Sequence, residues 1–385
     1  MPKKLNVYGL GQYGINRVKS PVHVQDGELL SSQNAAIYPI QGQLSLRKRD
    51  GMAKINASAA AGTLSAIMNV PLNALGDAPS CNVTSPDNDW NAGAWSPELS
   101  LFAIVSTSGT GNRAATSPDG VTWTVRTSSA DNAWQDIAWA PSITLFAAVG
   151  TGSVVMTSAD GITWTSRTAS SSRSWTGIAW SPTLSLFVAV ASSGVAAGMV
   201  MTSSDGITWT ARTASDARGW RKVCWATSLG LFVAVGATDS VTDDVMTSPD
   251  GITWTTRDPA IAANWYDVAW SEDLDILVAV GETDPLLTAT MMYSTDGITW
   301  TDAAVSLSGR SRSVVWSAEL GLFAAGRFAS NECFISDDGI NWATITTNCS
   351  EAVIADTTYS ADLEKFLLIG EDSGGVAVLE LLGMP

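Results

Sequence analysis

The sequence has 385 residues, 45% of them hydrophobic and only 15% charged, and this composition excludes a disordered chain. The formal net charge is −16, and no apolar run approaches the roughly 18 residues of a membrane-spanning helix, so we expect no membrane insertion. The N-terminus lacks the apolar middle of a secretory signal, and 33 Gly and 14 Pro among many Ser, Thr and Val residues predict short strands joined by turns.

The first 62 residues do not repeat, and we expect an extended basic arm with at most a short helix near Leu29 to Ala36. Residues 1–60 carry eight Lys or Arg and three Asp or Glu, a balance of +5, whereas the remainder carries 13 and 34, a balance of −21. Arg47, Lys48 and Arg49 form a basic cluster that we expect to dock on an acidic neighbouring subunit. Nucleic acid is a less favoured partner, because the rest of the chain would repel it.

Two groups of motifs follow one another in this arm. The first is Gln25-Asp26-Gly27-Glu28-Leu29 with Gln33-Asn34-Ala35, and the second is Gly42 with Leu46-Arg47-Lys48-Arg49-Asp50-Gly51. Their order resembles the N-terminal arms of tailed-bacteriophage virion proteins of the neck and tail. The resemblance implies docking on other virion proteins or on copies of the same chain, in a particle made in the host cytoplasm. A simple strap on the following domain is the alternative.

The remainder of the chain repeats two motifs. A turn motif, Ser-x-Asp-Gly-x-Thr-Trp or a close variant, begins at Ser117, Ser158, Ser203, Ser248, Ser294 and Ser336. An aromatic residue followed by small polar residues and an apolar run occurs at Trp95, Trp139, Trp180, Trp225, Trp270, Trp316 and, in degenerate form, Tyr359. The spacing of about 42 residues is that of a four-stranded propeller blade, so the sequence predicts an all-β, seven-bladed β-propeller over residues 63–385.

The turn motif resembles the Asp-box, or BNR repeat, of sialidase-type propellers, in which it joins the third and fourth strands away from the ligand site. The resemblance implies a structural role: the Asp accepts backbone N–H groups, the Gly takes a positive φ and the Trp packs between layers. The residues concerned are Asp119, Gly120, Trp123, Asp160, Gly161, Trp164, Asp205, Gly206, Trp209, Asp250, Gly251, Trp254, Asp296, Gly297, Trp300, Asp338, Gly339 and Trp342.

The last repeat has no turn motif, and we therefore expect its sheet to lack an outermost strand. Residues 63–88 contain the apolar stretch Leu64–Val70 and are the predicted donor of that strand. Such a strand would close the ring and cover a sheet edge that could otherwise pair with another chain.

The distance from a turn Ser to the next motif aromatic is 22 residues in five cases and 23 in the last, whereas the distance from an aromatic to its own turn Ser ranges from 19 to 24. The insertions therefore lie between the second and third strands of each repeat, and variable loops on a rigid scaffold are common binding surfaces. We call the residue five positions before each motif aromatic, where the inner strand is entered, the leading residue. The leading tryptophans, Trp90, Trp134, Trp175, Trp220 and Trp265, are candidates for an aromatic ring that binds a host-surface glycan or receptor, although core packing is the favoured alternative. The loop acids Asp239, Asp243 and Glu282 are candidates for the same face.

Catalytic and metal chemistry find little support. The four cysteines have no metal-like spacing and His23 is the sole histidine, so we expect no metal, no cofactor and no His-based catalysis. A sialidase-like enzyme would need non-repeated arginines, a Tyr nucleophile activated by Glu, and an acid on one face. Four arginines instead recur three residues after the turn Trp and are predicted to be architectural: Arg126, Arg167, Arg212 and Arg257.

The sequence therefore predicts a non-enzymatic structural protein of a tailed-bacteriophage virion, with the propeller displayed or stacked in the assembly. A lectin-like propeller that binds a carbohydrate or receptor is the first alternative. An Asp-box glycosidase is the second, in which acids of neighbouring loops such as Glu282 would supply the carboxylates.

Overall fold

A computed structural model describes residues 35–40, 43–48, 55–58 and 88–379, apart from 241–243, 284–287, 306, 329–331, 347–352 and 372–375. It divides the chain into two compact units, of which the second runs from Ala78 to Glu380. The predicted closing strand lies outside the described residues, except for Asn88. Arg49 of the basic cluster also lies outside them.

The described part of the first unit is a three-stranded antiparallel sheet in the order β1-β2-β3. Its strands are β1 (Ala35–Ile40), β2 (Gln43–Lys48) and β3 (Ile55–Ser58). The predicted short helix is wrong at Ala35 and Ala36, which begin β1 and pair with Lys48 and Arg47 of β2.

The second unit consists of antiparallel strands and, among the described residues, a single 3₁₀ helix at Pro141–Ile143. The strands are β4 (Trp90–Ser96), β5 (Leu101–Ser106), β6 (Ala114–Ser117), β7 (Thr124–Arg126), β8 (Trp134–Ala140), β9 (Leu145–Ser158), β10 (Thr165–Ser181), β11 (Leu186–Ala191), β12 (Ala197–Ser203), β13 (Thr210–Thr213), β14 (Trp220–Ala226), β15 (Leu231–Ser240), β16 (Val245–Ser248), β17 (Thr255–Arg257), β18 (Ala263–Ser271), β19 (Ile276–Thr283), β20 (Thr288–Ser294), β21 (Thr301–Asp302), β22 (Leu307–Ser308), β23 (Arg310–Ser317), β24 (Leu322–Phe328), β25 (Glu332–Ser336), β26 (Ala343–Thr346), β27 (Val353–Ser360), β28 (Lys365–Glu371) and β29 (Val376–Leu379).

Counted as hydrogen-bonded sheets, this unit has five blades rather than the predicted seven. The sheets are β4–β7, β8–β13, β14–β22, β23–β26 and β27–β29. Two of them contain two repeats each, because neighbouring repeats hydrogen bond to one another. β9 pairs with β10 through Thr151↔Ser174, and β15 pairs with β18 through Ala237↔Asn264. Gly150–Ser153 lies between the second and third strands of the second repeat, where the variable spacing of the motifs predicts a loop, and it is instead part of the continuous strand β9.

The hairpin between an inner strand and the strand that follows it recurs along the described chain. The pairs are β4·β5, β8·β9, β10·β11, β14·β15, β18·β19, β23·β24 and β27·β28. In every pair the register shifts directly after the leading residue, as where Trp220 pairs with Gly236 but Lys222 pairs with Val235. This shift is a β-bulge, and a bulge changes the direction in which the following side chains point.

The inner part of a sheet is buried on both faces, as strand β11 of the third repeat shows. Phe187 and Ala189 of β11 pack in one apolar cluster, and the intervening Val188 and Val190 pack in the next. The Phe187 ring lies 4.6 Å from Trp180, centroid to centroid, and 6.1 Å from the turn residue Trp209. The inner-strand and turn tryptophans therefore form the framework, because they fill the space between successive sheets.

The Asp-Gly turns share one pattern of hydrogen bonds. In the third repeat the Asp205 carboxylate accepts hydrogen bonds from the backbone N–H groups of Ile207 and Thr208, both at 2.8 Å, and from the Ser203 hydroxyl at 2.9 Å. Gly206 has a φ of +70°. Burial alone would raise the pKa of Asp205, but the hydrogen bonds from Thr208 and Ile207 outweigh it and lower that pKa. The same three hydrogen bonds recur at Asp119, Asp160, Asp250, Asp296 and Asp338.

The recurring arginines also hold the framework. Each donates from Nε to a threonine ten residues earlier, at 2.9–3.2 Å: Arg126 to Thr116, Arg167 to Thr157, Arg212 to Thr202 and Arg257 to Thr247. These bonds join the third and fourth strands of a repeat behind the turn. They give the four arginines an architectural role, away from the inner strands.

The last sheet contacts the first, so the described strands form a closed β-propeller. The Asp356 carboxylate accepts a hydrogen bond from the backbone N–H of Gly93 at 3.2 Å. The Trp95 indole donates to Asp362 at 3.1 Å, and Leu367 and Ile369 pack in one cluster with the first repeat. Closure within the described residues thus uses side chains of the final repeat, whose sheet has three described strands.

The turn staple can be tested at Asp205. The variant Asp205→Ala should lower the free energy of unfolding by about 1–2 kcal/mol, because three donors lose their acceptor. Urea denaturation at pH 7 measures this loss. The difference from the wild type should shrink as the pH falls below about 3.9, because the unfolded chain then takes up a proton at Asp205, whereas the folded protein, in which that pKa is lowered, does so only at still lower pH.

Ser204→Ala is the matched control for this experiment. Its side chain is exposed in the same turn, and the second repeat already carries Ala159 at the equivalent position. If Asp205→Ala were as stable as Ser204→Ala, the turn would not act as a staple.

Candidate functional site

A polar pocket of about 210 Å³ lies where the inner strands begin. It is lined by Asn91, Gln135, Thr176, Arg221, Tyr266, Arg312 and Ala355, together with Lys222 and Asp356. Each of the first seven directly follows a leading residue, so each repeat contributes the same structural position. The residue types at that position nevertheless differ, which makes the lining of the pocket chemically asymmetric.

The bulge explains why these side chains reach the pocket. In a regular strand successive side chains point to opposite faces, so two neighbours could not line one cavity. At β14 the extra residue of the bulge lies between Trp220 and Lys222, and both Arg221 and Lys222 line the pocket. Trp220 itself is fully buried. The backbone irregularity thus separates a framework residue from two residues that contact solvent.

The pocket and the Asp-Gly turns lie at opposite ends of the strands. In the third repeat Ser203, which begins the turn, pairs with Phe187 near the end of the inner hairpin. The leading residue Trp175 pairs with Ala191 at the other end. Because neighbouring strands are antiparallel, the pocket opens on the face away from the turns.

The leading tryptophans do not form the predicted aromatic ring. Trp90, Trp134, Trp175, Trp220 and Trp265 are all fully buried. The indole N–H groups of Trp175 and Trp220 donate to the backbone carbonyls of Ser171 and Asp216. Their position directly before the bulge places them between sheets, and the residue that follows each of them faces the pocket instead.

The three acids predicted to lie in loops, Asp239, Asp243 and Glu282, are in different parts of the chain. Glu282 is only 5% exposed and lies on strand β19, not in a solvated loop. Its carboxylate accepts a 2.7 Å hydrogen bond from the Tyr266 hydroxyl and forms a 2.7 Å ion pair with Arg310. Asp239 lies on strand β15, and Asp243 lies outside the described residues.

A lysine surrounded by carboxylates lies at the base of the pocket. Lys222 Nζ is 2.8 Å from Asp136 Oδ1 and 3.4 Å from Asp356 Oδ1. Asp267 contributes a third nearby carboxyl group. Lys222 belongs to the fourth repeat, and its two partners belong to the second and last repeats. The lysine therefore ties distant parts of the ring together through its axis.

The same three carboxyl groups join neighbouring repeats. Asp136 accepts the backbone N–H of Ile178 in the next repeat, and Asp267 accepts that of Val314, both at 2.8 Å. Asp356 makes the corresponding bond to Gly93 of the first repeat. These bonds satisfy backbone donors beside the bulges, where the regular ladder is interrupted.

Burial and mutual repulsion keep this cluster from being fully ionised. Burial, followed by the charge of Asp356, raises the pKa of Asp267 to about 7 against the opposing effect of Lys222. Burial likewise raises the pKa of Asp136. Burial alone would lower the pKa of Lys222, but the Asp136 and Asp356 carboxylates outweigh it and raise that pKa. Lys222 therefore stays charged, and Asp267 titrates near neutral pH.

Arginines and aromatic rings alternate along one side of the pocket. The Arg221 guanidinium lies 5.9 Å from the Tyr266 ring centroid, and that of Arg312 lies 5.5 Å from it. Arg312 is also 3.8 Å from the Phe328 ring, and Arg310 is 5.5 Å from the same ring. Such cation–π contacts orient guanidinium groups without neutralising their charge. This side of the pocket is consequently cationic.

The pocket residues were not among the candidates predicted from the sequence. Their residue type changes from repeat to repeat, as does that of the residue after them, whereas the leading residue is Trp in five of the seven repeats. Because the candidates were chosen from the variation in loop length, they fell on the leading tryptophans. Each of these lies one residue before the position that lines the pocket. Within the described part of the chain, no group of three or more His, Cys, Asp or Glu side chains is arranged to hold a metal ion. Among the same residues, no helix is long and apolar enough to cross a membrane.

No family model matches the chain, and no curated protein sequence matches it. Solved structures do share its fold. A streptogramin B lyase is 7% identical with a TM-score of 0.63, over 77% of this chain and 95% of that one. A GH74 xyloglucanase from Xanthomonas campestris is 13% identical with a TM-score of 0.60, over 80% and 54%. A chain of a mitotic checkpoint complex is 12% identical with a TM-score of 0.59, over 85% and 97%.

At these identities the likeness shows the β-propeller fold alone. Two of the three structures are named as enzymes and one as an assembly, so the fold does not select a function. The function has to be argued from the residues of the pocket.

The buried cluster predicts an unusual dependence of stability on pH. Asp267 has a folded pKa of about 7 and an ordinary unfolded pKa near 3.8, so between these values the folded protein holds a proton that the unfolded chain has released. The free energy of unfolding should therefore fall as the pH rises from about 4 to about 7. Urea denaturation across this range should show a shallower slope for Asp267→Asn, and an unchanged slope would refute the assignment.

Proposed function

We propose that this protein is a non-enzymatic recognition component, whose propeller binds a small polar ligand at the inner-strand pocket. We further propose that residues 1–62 join it to neighbouring subunits of a tailed-bacteriophage particle. One observation carries the binding function: seven side chains of six residue types, delivered by seven equivalent bulges, surround a single cavity. A framework role would not require the residue type at that position to vary.

The size of the cavity limits what enters it. Pockets that enclose drug-sized ligands measure roughly 300–1,000 Å³, so a cavity of about 210 Å³ accepts one small chemical unit. A terminal group of a surface glycan or a single side chain of a partner protein meets this limit. An extended oligosaccharide would have to lie across the mouth of the pocket instead.

The particle assignment is supported by the N-terminal segment. Its motifs between residues 25 and 51 follow the order found in neck and tail proteins, and its balance of +5 complements an acidic subunit. The sheet of β1, β2 and β3 has β1 and β3 at its edges, and edge strands can pair with a strand of another chain. Other copies of this chain and other virion proteins are the proposed partners.

Filling the pocket tests the binding function. Ala355→Trp places a large side chain in the cavity without removing a hydrogen bond, and it should abolish binding on a glycan array or to isolated host surfaces. The control is Ala361→Trp, an exposed turn position of the same repeat. Removal of residues 1–62 should leave this binding intact but prevent incorporation into particles. Binding retained in Ala355→Trp, or no binding by the wild type, would refute the proposal.

A glycosidase remains the second candidate because of one specific contact. Tyr266 lines the pocket and donates its hydroxyl hydrogen bond to Glu282, and the non-repeated Arg221 and Arg312 lie beside it. A tyrosine activated by a glutamate, next to non-repeated arginines, is the arrangement that the sialidase resemblance would require. The structure thus brings together residues that are 91 positions apart in the sequence.

The charges around this pair favour binding over catalysis. Burial, then the hydrogen bond and charge of Glu282, raise the pKa of Tyr266, so its phenol stays protonated at neutral pH. The second oxygen of Glu282 is already engaged in a 2.7 Å ion pair with Arg310. Asp356, the acid that lines the pocket, is already engaged by Lys222 and Gly93.

Enzyme assays distinguish the two candidates. We expect no turnover of sialosides or other glycosides by the purified protein. We also expect Tyr266→Phe and Glu282→Gln to leave that result unchanged. Turnover that both substitutions abolish would replace the binding function with a glycosidase function.

A further inference from the structure

We infer that the ligand carries an oxyanion, a carboxylate or phosphate on a small hydroxylated molecule, and that Arg221 binds this group. The inference rests on the proposed binding function and adds the chemical class of the ligand. Three observations support it: the distribution of charge around the pocket, the contacts that each cation of the lining makes, and the neutral polar groups in the rest of the lining.

The pocket concentrates positive charge in a strongly acidic chain. Beyond residue 60 the sequence has a balance of −21, yet Arg221, Lys222 and Arg312 all line this cavity. Asp356 is the acidic residue of the lining, and it is already bonded to Lys222 and to Gly93 N–H. Because Asp136 and Asp356 compensate the charge of Lys222, the excess positive charge of the lining comes from Arg221 and Arg312, and it favours an anion.

Of the three cations, Arg221 is the one placed to bind a ligand. Lys222 is charged, but the Asp136 and Asp356 carboxylates compensate its charge. The Arg312 guanidinium is stacked between the rings of Phe328 and Tyr266. Arg221 is exposed, and within the described residues its guanidinium contacts the Tyr266 ring and forms no ion pair. A guanidinium group offers two parallel N–H donors, which match the two oxygens of a carboxylate or phosphate.

Neutral polar groups supply the rest of the lining. Asn91, Gln135 and Thr176 come from the first three repeats, whereas the arginines come from the fourth and sixth. The Asn91 amide already donates to the Gln135 carbonyl at 2.6 Å and the Thr176 hydroxyl to the Trp220 carbonyl at 2.7 Å, so their oxygens can accept hydrogen bonds from ligand hydroxyls. The pocket thus has a cationic side and a neutral polar side. A molecule with an acidic group at one end and hydroxyl groups at the other fits this division.

Calorimetric titration of the full chain tests the inference with matched probes. Methyl β-D-glucuronide and methyl β-D-glucoside differ only at C6, which is a carboxylate in the first and a hydroxymethyl group in the second. The wild type should bind the glucuronide about tenfold more tightly, the value of one charge-assisted hydrogen-bonded contact. Inorganic phosphate should compete with the glucuronide if the anion alone is recognised, and should fail to compete if the sugar hydroxyls are also needed.

The substitution Arg221→Gln should remove the preference for the glucuronide. The control is Arg257→Gln, which makes the same change of charge on the outer strand β17 of the same repeat and should retain the preference. Equal affinity of the wild type for both glycosides would overturn the inference while leaving the binding function in place. A preference that survives Arg221→Gln would also overturn it.

Absence of binding by both glycosides and by phosphate at millimolar concentration would overturn the anionic assignment as well. The binding function is judged separately, by comparing Ala355→Trp with Ala361→Trp against broad glycan and host-surface panels. A failure of the anionic assignment can therefore be distinguished from a failure of the binding function.

Discussion

Burial of the leading residue between neighbouring sheets is the constraint on which the rest of the propeller depends. The leading residue is buried whether it is large, as Trp220 is, or small, as Ser311 is, and in both cases a bulge directs the following residue to the central cavity. The same register shift recurs at every inner strand described. Framework and site are thereby separated by one residue, and the site can vary without loss of packing.

Two sets of aspartates perform the same task in different surroundings. The aspartates of the turns and those of the axis both accept backbone N–H groups that the strand ladder leaves unpaired. In the solvated turns the hydrogen bonds outweigh the effect of burial, so the pKa of Asp205 is lowered. At the axis the loss of water dominates and the pKa of Asp267 rises. Lys222 limits this electrostatic cost at the axis, because one ammonium group serves more than one carboxylate.

The axis cluster also supports the pocket above it. Lys222 and Asp356 belong both to the network that joins the repeats and to the lining of the cavity. Their mutual engagement leaves the adjacent Arg221 as the exposed cation of the lining. The propeller neighbours do not choose among possible ligands, because the likeness is one of fold alone. Function here is a property of the seven variable side chains and of the charges beneath them.

The sequence by itself determined the repeat, the Asp-Gly turns and the architectural arginines, because these depend on residues close together in the chain. It did not determine the number of sheets, because backbone pairing such as Thr151 with Ser174 depends on how neighbouring repeats approach. Nor did it place the site: the alternation of a regular strand gives no warning of a bulge, and Asp136, Lys222 and Asp356 meet only when the ring closes. Only the tertiary structure could decide which side chains share the axis, because that depends on contacts between residues more than 80 positions apart.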